Sequence, residues 1–270
     1  MFEIFTYSFM IYAFVIGILI ALISALISPF VVLSNQSMLA DGLAHTSFLG
    51  FVIGIILVDQ PIYIALLIAG LSSILIKFIA SKASINNDAA IGIISALSFA
   101  VGLIFVSAAS GFNVSIEALM TGSILAIGLE EIIITAVIGL LLAIFVIVFY
   151  RPLYQNVFDK ENVLNSKKSI VLDYTLNVLS AFLIVIGVKV VGALLISSLI
   201  IFPTLIASQF KTSFKNTIII GIIVSVVLMF ISIYSSYYLN IPTGSTVVVV
   251  NFIALILAMS YKYIKRRVRR

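Results

Sequence analysis

Residues 7–33 read YSFMIYAFVIGILIALISALISPFVVL, an apolar run from Tyr7 to Leu33 without a single Asp, Glu, Lys or Arg. About 20 consecutive apolar residues cross the hydrocarbon core of a bilayer as one helix. The run is too long for a signal-peptide core and lacks a basic start, so it is expected to be a retained first span. Outward from it, further apolar runs fall at roughly 41–58, 61–80, 89–110, 130–150, 170–187, 190–209, 216–237 and 245–262. These runs are continuous rather than alternating, which selects helices over a barrel. They predict an all-α, polytopic membrane helix bundle of eight or nine spans, organised as one transmembrane domain over residues 1–270.

Composition agrees. The chain is 63% hydrophobic and 9% charged, whereas a soluble domain carries about 25% charged residues. So few charges cannot build a water-facing surface. Cys is absent, which excludes a disulfide framework and a thiolate metal site. The net charge of +5 is concentrated in a tail containing Lys262, Lys265, Arg266, Arg267, Arg269 and Arg270. A basic cluster after a final apolar run reads as a cytoplasmic anchor, not as a nucleic-acid site.

The remaining basic residues set the topology. Lys77 and Lys82, then Arg151, Lys160, Lys167 and Lys168, then Lys211 and Lys215, all fall on the side of the tail if the runs alternate. The turns near Asp59–Pro61 and Asn240–Gly244 carry no Lys or Arg. A cytoplasmic C-terminus follows. Nine spans then place the N-terminus outside, and eight place it inside. The weaker stretch at 111–129, interrupted by Gly111, Asn113, Ser115, Glu117, Gly122 and Ser123, is expected to be short or re-entrant. Lys189 lies between two runs and is expected to reach for an interface.

Ionisable groups at lipid depth are costly and usually have a task. Asp41 and His45, the only His, stand four residues apart in LADGLAHTS (39–47). On a helix this spacing puts carboxylate and imidazole on one face, with Cβ atoms about 5–6 Å apart. An oxygen plus a nitrogen donor suits Zn²⁺ or Mn²⁺ better than Ca²⁺ or Mg²⁺. Such a sparse set holds an ion weakly enough to release it. Thr46 and Ser47 are candidate further oxygens. The same pair also reads as a hydrogen-bonded tie between helices, or as a proton relay. Asp88 opens a later run and reads as that helix's own N-cap. Glu117 reads as a pathway or gate residue, or as a cap. Residues 150–169 mix charged and apolar positions at helical spacing, as an interfacial or docking helix does. No phosphate-binding loop, metalloprotease pair or nucleophile elbow occurs. The chain therefore carries neither an ATPase nor a hydrolase constellation, and a transport subunit is the simplest reading.

These residues resemble the permease subunits of prokaryotic ABC importers for zinc and manganese. Residues 37–50, SMLADGLAHTSFLG, are similar to that family's GDxLAHxSLxG-like segment. Asp88–Gly92 resembles DxxIGI, and Glu117–Ala126 resembles EALLFGSILA. Val191–Leu195 with Ile201–Ala207, and Pro242–Thr246, match further segments in order. The resemblance implies a homodimer around a central path and a separate cytoplasmic ATPase that uses the ATP. It also implies an extracytoplasmic binding protein that delivers Zn²⁺ or Mn²⁺, with no covalently bound cofactor. It carries ion contact onto Asp41 and His45, and a pathway or gate role onto Ser47 and Glu117. ATPase coupling falls to Phe158, Asp159, Glu161, Val163 and Lys167. Relatives carry Ala-x-x-x-Gly where this chain has Val163 and Lys167, and an Arg where it has Ser34–Gln36.

Overall fold

The structure is a computed structural model that describes residues 8–58, 60–109, 128–159, 167–210 and 212–268. Among these, every regular element is an α-helix: α1 (Ser8–Val32), α2 (Leu39–Leu57), α3 (Pro61–Lys82), α4 (Asn87–Ala108), α5 (Leu129–Val148), α6 (Tyr150–Phe158), α7 (Lys167–Val191), α8 (Ala193–Ser208), α9 (Phe214–Leu239) and α10 (Thr243–Val268). Eight of them, all but α6 and α8, are long and apolar enough to cross a membrane. This meets the expected count. The run at 190–209 becomes α8, whose 16 residues extend only about 24 Å at 1.5 Å per residue.

Local chemistry sets the helix ends. Pro61 opens α3, where its missing N–H costs nothing. Ser213 caps α9 by accepting from Asn216 N at 3.4 Å, and Asn240, with φ 52°, closes it in the left-handed conformation. One boundary differs from expectation. The break anticipated around Gly187–Val190 is absent, and α7 runs on to Val191. Gly187 is helical, and its missing Cβ leaves room for the Ile196 side chain, which would stand 2.6 Å from it. The turn falls instead on Gly192, whose φ of 92° disfavours any side chain. Lys189 therefore lies in the last turn of α7, where Nζ meets Glu131 Oε1 at 2.9 Å.

α1 and α2 are the most covered spans, with 61% and 67% of their windows buried, against 17% for α10. The outer spans turn Leu67, Leu71, Ile104, Leu140, Ile147 and Leu257 outward, as a lipid-facing surface requires. α2 packs between α3 and α4, and glycines set the closeness. A Cβ on Gly50 would stand 2.4 Å from Ala65 Cα, on Gly54 2.6 Å from Pro61 Cα, and on Gly42 2.2 Å from Ile91 Cγ2. Small residues at such crossings let backbones approach and gain dispersion contacts, which is what holds helices together when lipid replaces water.

The basic residues gather at one end. Asn87 Nδ2 donates to Ser34 O at 3.3 Å, Asn156 and Ser169 bond each other at 2.9 Å, and Lys262 Nζ donates to Gln209 Oε1 at 2.9 Å. These contacts tie the turns and helix ends bearing Lys82, Arg151, Lys167 and Lys168 together. The Lys189–Glu131 pair lies at the other end of α7. Residues 150–158 form a short amphipathic helix, α6, with Leu153 and Val157 buried and Arg151 and Gln155 exposed; the amphipathic helix expected from Phe158 onward falls on residues 160–166, which lie outside the described residues.

Replacing Gly50 by Ala should push α2 from the α3 backbone and cost about 1–3 kcal/mol. A lowered thermal midpoint of the detergent-solubilised protein is the expected readout, and an unchanged midpoint would contradict this packing.

Candidate ion site

α2 carries its chemistry in its first two turns. Asp41 lies in the first turn, where the amino end of the helix favours a carboxylate. His45 follows one turn deeper. The row Asp41, His45, Leu49 and Ile53 is half-buried, while Gly42, Leu43, Ala44, Thr46, Ser47 and Phe48 between them are buried. The helix thus opens one stripe four residues in period, and both chemistry-bearing groups lie on it.

No hydrogen bond joins Asp41 to His45 among the described residues. His45 Nδ1 is buried and has no hydrogen-bond partner among the described residues. Its ring stands edge-on to Phe99 of α4, with centroids 4.9 Å apart, and Phe99 in turn meets Phe48 at 5.3 Å. Imidazoles that hold resident metals usually donate their second nitrogen to a carboxylate or carbonyl. Here an aromatic wall orients the ring instead. Among the described residues, no three His, Cys, Asp or Glu side chains cluster as a metal cage. The donor set is one carboxylate and one imidazole. It fits a borderline divalent ion held briefly and completed by water or by donors from elsewhere.

Ser47 is fully buried and donates to Leu43 O at 2.6 Å, and Thr46 donates to the same carbonyl at 2.9 Å. Both hydroxyls face away from the open stripe. Glu117, Glu161 and Val163 lie outside the described residues. Phe158 ends α6, Asp159 follows it, and Lys167 opens α7.

Asp88 corrects an expectation. It does not cap its own helix, which shows no side-chain cap. Its Oδ1 accepts from Met38 N at 3.3 Å, just before α2 begins. With Asn87 on Ser34 O, the start of α4 thus holds the turn that delivers Asp41. A second feature went unread: Lys77 and Asp173, which were visible only as charges near the ends of two apolar runs, form an ion pair at 2.6 Å between α3 and α7. A polar cavity of about 500 Å³ is lined by this pair together with Gln36, Asn86 and Asn156, and it contains neither Asp41 nor His45.

A helical bundle with eight candidate spans and a sparse oxygen–nitrogen pair on a covered inner helix defines a polytopic membrane transport subunit. Residues 6–262 match the model of the ABC 3 transport family, and the chain belongs to that family. It is a permease subunit and not an enzyme. It is 25% identical over 252 residues to the manganese transport system membrane protein MntC of Halalkalibacterium halodurans, covering 92% of this chain and 85% of that one. It is 27% identical over 249 residues to the high-affinity zinc uptake system membrane protein ZnuB of Buchnera aphidicola, covering 89% and 93%. The fold superposes on a chain of PsaBC from Streptococcus pneumoniae in complex with Fab, with a TM-score of 0.81, 22% identity and 97% of both chains covered.

Asp88→Ala should remove the acceptor at the start of α2 and cost about 0.5–2 kcal/mol, as other lost caps do. Asp88→Asn keeps an acceptor and should recover most of that loss in the same thermal measurement.

Proposed function

We propose that this chain is the membrane-spanning permease of an ATP-driven importer of a divalent transition metal ion, Zn²⁺ or Mn²⁺, in a prokaryotic cytoplasmic membrane. Family membership supports the class, and relatives named for manganese and for zinc support the cargo. One observation carries the site. Asp41 is a half-buried carboxylate at the start of a covered span, with no cationic partner among the described residues, and His45 lies on the same open stripe. A half-buried carboxylate without a protein counter-charge is open to contact with a passing cation.

In this mechanism an extracytoplasmic protein delivers the ion at the end bearing Lys189 and Glu131. Asp41 and neutral His45 then replace part of its water shell. A cytoplasmic ATPase acts at the basic end through residues 150–169, including Phe158, Asp159, Glu161, Val163 and Lys167, and its cycle shifts the spans between outward-open and inward-open packings. The C-terminus is cytoplasmic by the distribution of basic residues.

A second copy of the chain completes the site. Beside the α2 stripe, Gly92, Ala96 and Ala100 form an exposed row of small residues on α4, and a Cβ on Gly92 would meet nothing within 4 Å. Such a row suits close packing against another helix in lipid, and two copies would bring two Asp–His pairs to one path.

Asp41→Ala and His45→Ala should each lower metal uptake by about tenfold or more, the scale of one lost charged contact, while the protein still assembles with its ATPase. Wild-type uptake in both variants would remove the site assignment. The natural chain has no Cys, so Ala96→Cys gives a single thiol. It should yield a disulfide-linked dimer on mild oxidation in membranes, and a Cys placed at lipid-facing Leu140 should not. Equal crosslinking at both positions would reject this interface.

A further inference from the structure

Tyr150, Tyr154 and Phe158 recur every four residues on α6 and form one aromatic edge. All three rings meet a single side chain of another helix, Phe214 at the start of α9, with centroids 6.2, 5.2 and 5.6 Å away. Phe214 also stands edge-on to Phe30 of α1 at 5.1 Å. Phe30 is 2% exposed, so its ring is locked in the core, while Phe158 is 58% exposed at the outer end of the row. Phe30 also meets Tyr150 edge-on at 6.4 Å, and Phe214 is the ring that joins it to the rest of the row, so the exposed helix α6 reaches the end of the buried span α1.

What lies beyond Phe30 gives this contact its meaning. Pro29 sits inside α1 and withholds the N–H that would pair with the Ala25 carbonyl, so the helix is soft just before its last turn. The part after that soft point is bonded to the turn that begins α2. Asn35 N donates to Val32 O at 3.3 Å, Gln36 N to Val31 O at 3.2 Å, and Leu39 N to Gln36 O at 3.0 Å. Phe30 and the bonded unit, with the first turn of α2 and Asp41, thus lie on the same side of the soft point at Pro29.

We propose that Phe214 is a positioning residue that transmits movement of α6 to the start of α2, and so links ATP use to handling of the ion. This rests on the proposed function, in which α6 faces the ATPase. Packed aromatic rings suit the task because they resist compression and make broad contact. A further route from α6 runs through Asn156 and Ser169 to α7.

The test is co-reconstitution in liposomes with the ATPase that copurifies with this chain and with the extracytoplasmic binding protein of the same system, measuring ⁶⁵Zn²⁺ or ⁵⁴Mn²⁺ uptake and phosphate release together. Phe214→Ala should leave ATP hydrolysis near wild type and lower ions moved per ATP by about tenfold, within the range a single coupling contact carries. Phe214→Tyr keeps the ring and should restore the ratio. If Phe214→Ala fails to insert, Phe214→Leu, which keeps most of the apolar volume, decides the matter with the same expected uncoupling. An unchanged ratio in a folded Ala or Leu variant overturns the proposal, as does uptake and hydrolysis falling in parallel, which is the mark of a merely structural role. A wild-type preparation that moves neither ion with ATP would instead defeat the proposed function itself.

Discussion

Inside a lipid bilayer there is no water to satisfy a polar group, and the organisation of this protein follows from that. Backbone amides turn inward into helices because an unpaired N–H or C=O costs several kcal/mol in hydrocarbon. Many buried side-chain hydroxyls obey the same constraint, though Ser24 and Ser180 find no partner among the described residues. Thr46 and Ser47 bond back to Leu43 O, and Ser28 of α1 bonds across to Ile200 O and Thr204 Oγ1 on α8, beside Pro203. Charges pair as well, Lys77 with Asp173 and Lys189 with Glu131. Against this background, Asp41 has no ion pair among the described residues, and His45 Nδ1 is one of a few buried polar atoms without a hydrogen-bond partner there.

That exception is built, not accidental. Three glycines bring α2 against α3 and α4, Asp88 and Asn87 hold its first turn, and Phe99 flanks the imidazole. The contacts fix where α2 sits, while the side chains of Asp41 and His45, the ion contacts of the proposed function, have no further hydrogen bond holding them among the described residues. A resident metal centre shows the opposite pattern, with its ligands locked by further hydrogen bonds. A site that must both accept and release an ion benefits from the looser one.

The same logic separates the two ends of the molecule. At the basic end, turns, α6 and the starts of α7 and α9 are tied together by hydrogen bonds and stacked rings. At the other end, one ion pair spans α5 and α7, and Gly192 makes the sharp turn into α8. An energy input at the basic end thus meets a connected layer, with the start of α2 inside it.

Much of this was legible in the chain itself. Apolar run length and the scarcity of charge determine a helical membrane bundle, because the hydrocarbon thickness sets the length of a span irrespective of tertiary contacts. Spacing alone put Asp41 and His45 on one face, since the helical period does not depend on neighbours. The local signals could not say which side of α2 remains open, that Asp88 serves a helix other than its own, that Gly187 stays helical while Gly192 turns, or that Phe214 gathers four rings. Each of these depends on residues distant in sequence meeting in space, and only the packing of one helix against another decides that.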